Sequence, residues 1–261
     1  MNLKSSTVLI TGGTSGIGLE IAKQLLAKGA KVIVTGRDAA KLAETRASLK
    51  GVETIQSDVA DPKQIEQLLQ TIQTKFPDTN ILINNAGIMR KLNVHEPRSL
   101  EDVTREIEIN LMGPVRMTQA FLPHLKKKSE AAIVNVSSGL AFVPFAISPV
   151  YSATKAGLHS YTQALRIQLK GSNVRAFELA PPGTDTPLFK GSEFTEADTG
   201  GVKAMDVRDL AKAAVRGLEN DTLEIRPGMS NALKWMSRIA PEFAVNMLGK
   251  NAASMQVTTK Q

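Results

Sequence analysis

Short runs of β-branched and aliphatic residues alternate along the chain with longer stretches whose apolar positions recur every three or four residues. The short runs predict strands over residues 7–11, 31–35, 53–57, 81–84, 132–137, 173–178 and 222–225. The longer stretches predict helices over 17–27, 39–49, 62–75, 100–125, 151–169 and 206–218. Runs such as Ile133-Val134-Asn135-Val136 lack clean apolar/polar alternation, as expected of strands covered on both faces. Alternation of strand and helix implies right-handed crossovers, hence an α/β fold with a doubly wound parallel sheet of about seven strands and helices on both faces. No repeat, low-complexity tract or linker divides it, so residues 1–228 read as one domain.

The rhythm changes after Ile225. Leu233, Met236, Ile239 and Ala240 recur at helical spacing, Pro241 interrupts, and Phe243, Val245, Met247 and Leu248 follow. Residues 229–261 read as a C-terminal helical extension, packed on the same domain or on a neighbouring subunit. A membrane-surface helix is the other reading, because Lys234, Arg238 and Lys250 accompany Trp235 and Phe243.

Composition removes several chemistries. The 261 residues are 42% hydrophobic and 22% charged, which suits a globular chain and not a disordered one. There is no cysteine, so a disulfide scaffold, thiolate-ligated zinc, iron–sulfur ligation and a cysteine nucleophile are excluded. Its absence fits a reducing, cytoplasmic setting. His95, His124 and His159 are the only histidines and lie far apart in sequence, so no metal is expected. No apolar run approaches the roughly 20 residues of a membrane span. The net charge of +7 could serve nucleic acid, an anionic membrane or an anionic cofactor. The densest run, Lys126-Lys127-Lys128, follows an apolar helical pattern and suits a helix end. Aromatic residues, 4% of the chain, do not interleave with basic ones, so nucleic acid is not an expected partner.

The first strand runs into Thr11-Gly12-Gly13-Thr14-Ser15-Gly16-Ile17-Gly18 and a helix follows at once. Glycines there permit a sharp turn and close backbone approach to a diphosphate, while the helix N-terminus presents amides to the anion. No Gly-Lys-Ser/Thr closes the loop, so it is not a P-loop. A dinucleotide is the expected ligand. The second strand ends in Val34-Thr35-Gly36-Arg37, with no carboxylate for a free ribose hydroxyl and a guanidinium suited to a 2′-phosphate. NADP is therefore favoured, NAD remaining possible, with a solvated Arg37 paired to Asp38 as the plainer alternative.

Tyr151 and Lys155 stand four apart, on one face if the segment is helical. An ammonium beside a phenol favours phenolate and moves the tyrosine toward a useful pKa. Ser138 ends a strand thirteen positions earlier, Asn110 precedes that strand, and Asn84-Asn85-Ala86-Gly87 ends the fourth. With the Thr-Gly-x-x-x-Gly-Ile-Gly opening, these residues resemble the short-chain dehydrogenase/reductase family over about residues 5–186. Val32-Ile33-Val34-Thr35-Gly36-Arg37 and Leu179-Ala180-Pro181-Pro182-Gly183-Thr184-Asp185-Thr186 look more like its DltE-type branch.

The resemblance implies a Rossmann-like fold and hydride transfer between a nicotinamide and a carbonyl or alcohol. Tyr151 would be the general acid or base, Ser138 would orient the reacting oxygen, and Lys155 would hold the nicotinamide ribose and lower the tyrosine pKa. Asn110 would support a water for proton relay. Gly12, Thr14, Ser15, Gly16, Ile17 and Gly18 would contact the cofactor, Asp58 its adenine with Val59 alongside, and Asn85, Ala86 and Gly87 would line it. Beyond the sixth strand, Pro181 takes the place of the family proline and Pro182 that of its glycine. Thr184 would then give a backbone contact and Thr186 a hydroxyl; an alignment on Pro182-Gly183 shifts the threonine by one. The run from Gly139 to Ala146 would wall an apolar substrate pocket, and residues 188–201 would form a lid. Arg90 and Lys91 either attract an acidic substrate or lie in a solvated loop. Dimers or tetramers through helices 100–125 and 151–169 are also implied. Two other classes stay open: a non-catalytic NADP sensor, and a membrane-associated reductase of envelope or lipid metabolism.

Overall fold

In the computed structural model, which describes residues 1–190, Phe194 and residues 203–250, seven strands form one parallel sheet in the order β3-β2-β1-β4-β5-β6-β7. The strands are β1 (Thr7–Thr11), β2 (Lys31–Gly36), β3 (Val52–Gln56), β4 (Thr79–Asn84), β5 (Ala131–Val136), β6 (Val174–Leu179) and β7 (Glu224–Ile225). The helices that cover it are α1 (Gly16–Ala27), α2 (Ala39–Ser48), α3 (Pro62–Lys75), α4 (Leu100–Ile107), α5 (Gly113–Leu125), α6 (Pro149–Gln168), the short α7 (Pro187–Lys190) and α8 (Val207–Glu219). The expected doubly wound sheet is the observed one, with strand ends shifted by a residue or two.

Period-two alternation divides the core. Val8 and Ile10 join Ile21, Leu25 and Leu210 on the face under α1 and α8. Leu9, between them, joins Leu68, Phe121 and Leu165 under α3, α5 and α6. Both faces are apolar, which is why β1 is buried at all five positions and shows no polar stripe. The order reverses between β1 and β4, and a cleft opens at such a point beyond the carboxyl ends of the strands.

The predicted single helix over 100–125 is broken. A π turn, Glu108–Met112, separates α4 from α5, and the Gly113 amide donates to the Glu108 carbonyl five residues back. Pro114 explains the break: it has no N–H to give to the carbonyl of Asn110, four residues earlier. Lys126 caps α5, so the lysine run does sit at a helix end.

Two further helices, α9 (Met229–Ile239) and α10 (Pro241–Gly249), pack through Leu233 and Ala244 onto Val143 and Phe142, in the segment that follows β5. Trp235, Ile239 and Phe243 on these helices are exposed. Among the described residues, no helix is long and apolar enough to cross a membrane. The remainder of the C-terminal extension, 251–261, and most of the anticipated lid, 191–193 and 195–201, lie outside the described residues.

Candidate functional site

The glycine loop is built by exclusion. Gly12 and Gly16 have φ of +65° and +53°, a region that side chains other than glycine's rarely occupy. A Cβ on Gly12 would lie 2.8 Å from the Ala86 Cα, and one on Gly18 would lie 2.4 Å from the Asn85 amide nitrogen. That amide donates to the carbonyls of Thr11 and Gly12 at 2.9 and 3.0 Å, and the Thr11 hydroxyl accepts from the Asn85 and Ala86 amides. Asn85 thus ties the β4 end to the loop. Whereas Asp38, Asp61, Ser99 and Asp206 cap α2, α3, α4 and α8 with their side chains, Ser15 makes no such bond at α1. No acidic residue stands in the first turn of α1 either, so its amides keep their donors for an anion.

Arg37 leaves the end of β2 half exposed, and its guanidinium lies 3.7 Å from an Asp58 carboxylate oxygen. The alternative pairing with Asp38 is not observed: Asp38 accepts from the Ala40 and Lys41 amides as the cap of α2. Thr14 packs where a Gly36 side chain would stand, 3.2 Å from its Cβ position. Asp58 accepts from the Ala60 amide, and Val59 packs against Gly113 at the end of the π turn.

Tyr151 and Lys155 lie one turn apart on α6, both buried, with the ammonium 5.6 Å from the ring centroid. The Lys155 ammonium donates to the Val136 carbonyl at 2.8 Å, and burial pushes its pKa down to about 8. Burial pushes the Tyr151 phenol up to about 12; its hydrogen bond with the Ser138 hydroxyl opposes the rise and the Glu106 carboxylate adds to it. Desolvation of phenolate is the largest of these influences on Tyr151. Ser138 is held by accepting from the Leu140 amide at 3.1 Å.

Asn110 sits in the π turn with its side chain turned into the protein. It accepts from the Ile88 amide at 2.9 Å and donates to the Ile88 carbonyl at 2.8 Å and the Thr154 hydroxyl at 3.3 Å. A Cβ on Gly87 would lie 3.2 Å from the Asn110 side-chain oxygen and 3.7 Å from the Lys155 ammonium. Thus β4, the π turn and α6 converge on one point. Pro181 accepts from the Gly139 amide at 2.7 Å, the Thr184 hydroxyl donates to the Pro182 carbonyl at 2.8 Å, and Thr186 packs beside Gly16.

Met89, Phe145 and Ile147 pack with Tyr151, and Leu140 and Phe194 join them, giving an apolar wall. Arg90 does not await an acidic substrate. It bonds Asp102 at 2.7 Å and lies 3.8 Å from Glu106, whose other oxygen accepts from the Arg90 amide. Sequence reasoning missed Glu106, a fully buried carboxyl pushed up by desolvation whose charge reaches the tyrosine. The available signal was an acid on the turn before Asn110, indistinguishable from a solvated helix face.

A family model described as short chain dehydrogenase matches residues 6–197. The chain belongs to the short chain dehydrogenase family. As a member it is an oxidoreductase. The chain is 48% identical over 189 residues to the uncharacterized oxidoreductase DltE of Bacillus subtilis (strain 168), covering 72% of this chain and 75% of that protein. It is 31% identical over 240 residues to the NADP-dependent 3-hydroxy acid dehydrogenase YdfG of Salmonella typhi, covering 92% of each. A short chain dehydrogenase from Burkholderia cenocepacia J2315, solved in complex with NADP, superposes with a TM-score of 0.81 at 26% identity, covering 95% of this chain and 99% of that one.

Proposed function

We propose that this short chain dehydrogenase moves a hydride between NADP and the carbon of an apolar ketone or secondary alcohol, with Tyr151 carrying the proton. One observation carries the reading: the buried Lys155 ammonium stands 5.6 Å from the Tyr151 ring, near Ser138 at the carboxyl end of β5, and a Cβ on Gly87 would lie 3.7 Å from that ammonium. The loop fits a dinucleotide diphosphate, since Gly12 and Gly16 leave only backbone at the surface, Gly18 lets α1 pack closely on Asn85, and the α1 amides keep their donors. Gly12, Thr14, Ser15, Gly16, Ile17 and Gly18 would hold it, with Arg37 on the 2′-phosphate, Asp58 and Val59 by the adenine, and Asn85 to Gly87, Pro181, Thr184 and Thr186 along its length. NADP in the names of the YdfG relative and the Burkholderia complex agrees with Arg37. When bound, the nicotinamide supplies or accepts the hydride and, oxidised, brings a positive charge.

The protein's own groups then divide the work. Ser138 holds the substrate oxygen against the Tyr151 hydroxyl. A phenol raised to about 12 is fully protonated at neutral pH, the form that carbonyl reduction consumes. Lys155, at about 8, exchanges protons readily near neutrality and can restore the system after turnover. Asn110 fixes the π turn and the β4 end around it. The wall of Met89, Phe145 and Ile147 excludes water and favours apolar substrates.

Nicotinamide absorbance followed across a panel of ketones and alcohols tests the reading, using wild type and Tyr151→Phe. Turnover by wild type and none by the variant is the expected result; cofactor binding with no turnover of any compound would establish the sensor alternative instead. We also infer association through α4, α5 and α6, where Leu100 and Ile167 stand exposed. Light scattering at micromolar concentration should give a dimer or tetramer.

A further inference from the structure

Away from the catalytic cleft, α6 and α9 close over the turn that follows Ser138. They leave a cavity of about 380 Å³ lined by Ala141, Phe142, His159, Lys234, Ser237 and Arg238. Along α6, His159 stands eight residues from Tyr151, about 12 Å at 1.5 Å per residue, so the cavity is not the substrate cleft. Its lining holds an ammonium, a guanidinium, an imidazole and a hydroxyl, and no carboxylate.

The carboxylates behind the lining are already engaged. Glu178, fully buried, meets Nδ1 of His159 at 2.8 and 2.9 Å and accepts from the Ser137 hydroxyl. Nε2 is therefore the imidazole nitrogen left for another partner. Glu224 accepts from Arg226 at 3.0 Å and from Lys234. The Lys234 ammonium also lies 5.6 Å above the Phe142 ring, whose edge-on contact with His159 has centroids 5.0 Å apart. Arg238 is exposed and has no carboxylate partner among the described residues. Lys234 and His159 are thus fixed in place by carboxylates behind them, and Arg238 is the lining cation with no such partner among the described residues.

We propose that this cavity binds a phosphate group, free or carried by a small monoester. A guanidinium and an ammonium suit the several acceptor oxygens and the double charge of phosphate. A volume of about 380 Å³ exceeds that of one such group, and the Phe142 face and Ala141 offer an apolar wall to whatever the phosphate is attached to. A divalent cation is the competing occupant, because ligand atoms of His159, Glu178 and Glu224 lie within 4.8 Å of one another. It would have to displace Lys234 and Arg226 from Glu224, which is why the anion is favoured.

Calorimetric titration of the full chain with inorganic phosphate and with phenyl phosphate, at constant ionic strength, tests the proposal. Saturable binding is expected, weakened about tenfold or more by Arg238→Ala, the loss of one charge-assisted contact. Neither Arg37→Ala nor saturating NADP, which would fill the glycine loop, should change it, which separates this cavity from the cofactor site. Tighter binding of phenyl phosphate would identify a monoester, and equal affinity free phosphate. Hydrogen exchange should slow over residues 139–142 and 234–238 when phosphate is present. Arg238 lies on the surface, so its variant should fold, as circular dichroism would verify. The proposal is overturned if phosphate does not bind at millimolar concentrations, or if Arg37→Ala abolishes binding and Arg238→Ala spares it. It is equally overturned if zinc binds in its place and Glu224→Gln removes that binding.

Discussion

The two halves of the cleft are made from opposite materials. On the side of β1 and β2, the glycine loop works by what its side chains leave out: a Cβ on Gly12 would lie 2.8 Å from the Ala86 Cα, and the nearby Arg37, beside Asp58, stands half in solvent. On the side of β5 and α6, ionisable groups are carried inside, with Tyr151, Lys155 and Glu106 all withdrawn from water. The first arrangement suits recognition of an anion, since main-chain donors cost nothing to pre-orient. The second suits chemistry, since burial moves the proton affinities of Tyr151 and Lys155.

If that division holds, variants on the two sides should fail differently. The largest effect is expected at Tyr151→Phe, which should lower kcat by about 10²–10⁴-fold while leaving the dissociation constant for NADPH, measured by fluorescence, within a factor of about two. A matching loss of cofactor affinity would break the comparison.

Next comes Lys155→Met, where activity and stability should part. The Lys155 pKa is lowered from 10.5 to about 8, so at pH below 8 the folded state carries a charge that its surroundings disfavour. Between pH 8 and 10.5 the unfolded chain binds more protons, and wild-type stability rises with pH through that window. The variant should therefore be inactive yet more stable than wild type at neutral pH, by on the order of 2 kcal/mol. That advantage should shrink as pH rises toward 10.5 in urea unfolding.

On the recognition side, Arg37→Ala should weaken NADPH by about tenfold to a hundredfold and NADH little, with kcat at saturation preserved. Because Arg37 neighbours Asp58, the variant also frees a carboxylate, and the ratio of the two affinities is the measurement that counts. The smallest effect is expected at Glu106→Gln. Removing a charge that raises the tyrosine should move the alkaline limb of the pH–rate profile for reduction downward, by less than about one unit.

Legibility in the sequence follows the same divide. The strand–helix alternation, the glycine loop and the spacing from Tyr151 to Lys155 are local, and each survives as read, to within a residue or two at the ends. The Glu106–Arg90 pair and the Asn110–Ile88 bonds join residues that only the folded chain brings together, and no periodicity announces them. The helix over 100–125 was legible as a pattern but not as a geometry. Its apolar spacing persists across the break, and Pro114, tolerated near any helix start, gave the only hint. Arg37 was legible as a free cation near β2, but its neighbour Asp58 arrives from the far end of β3.

The π turn makes this stretch of chain sensitive to length more than to composition. One residue beyond what an α-helix needs is wound in between α4 and α5, and each residue in a helix rotates the chain by about 100°. Deleting a single residue between Glu106 and Pro114 would swing the buried carboxyl and Arg90's anchor away from the cleft, while Met117, Phe121 and Leu125 kept their grip on the sheet. Substitutions leave that phase intact. Among proteins sharing this fold, the count of residues in this segment should therefore vary far less than their identity.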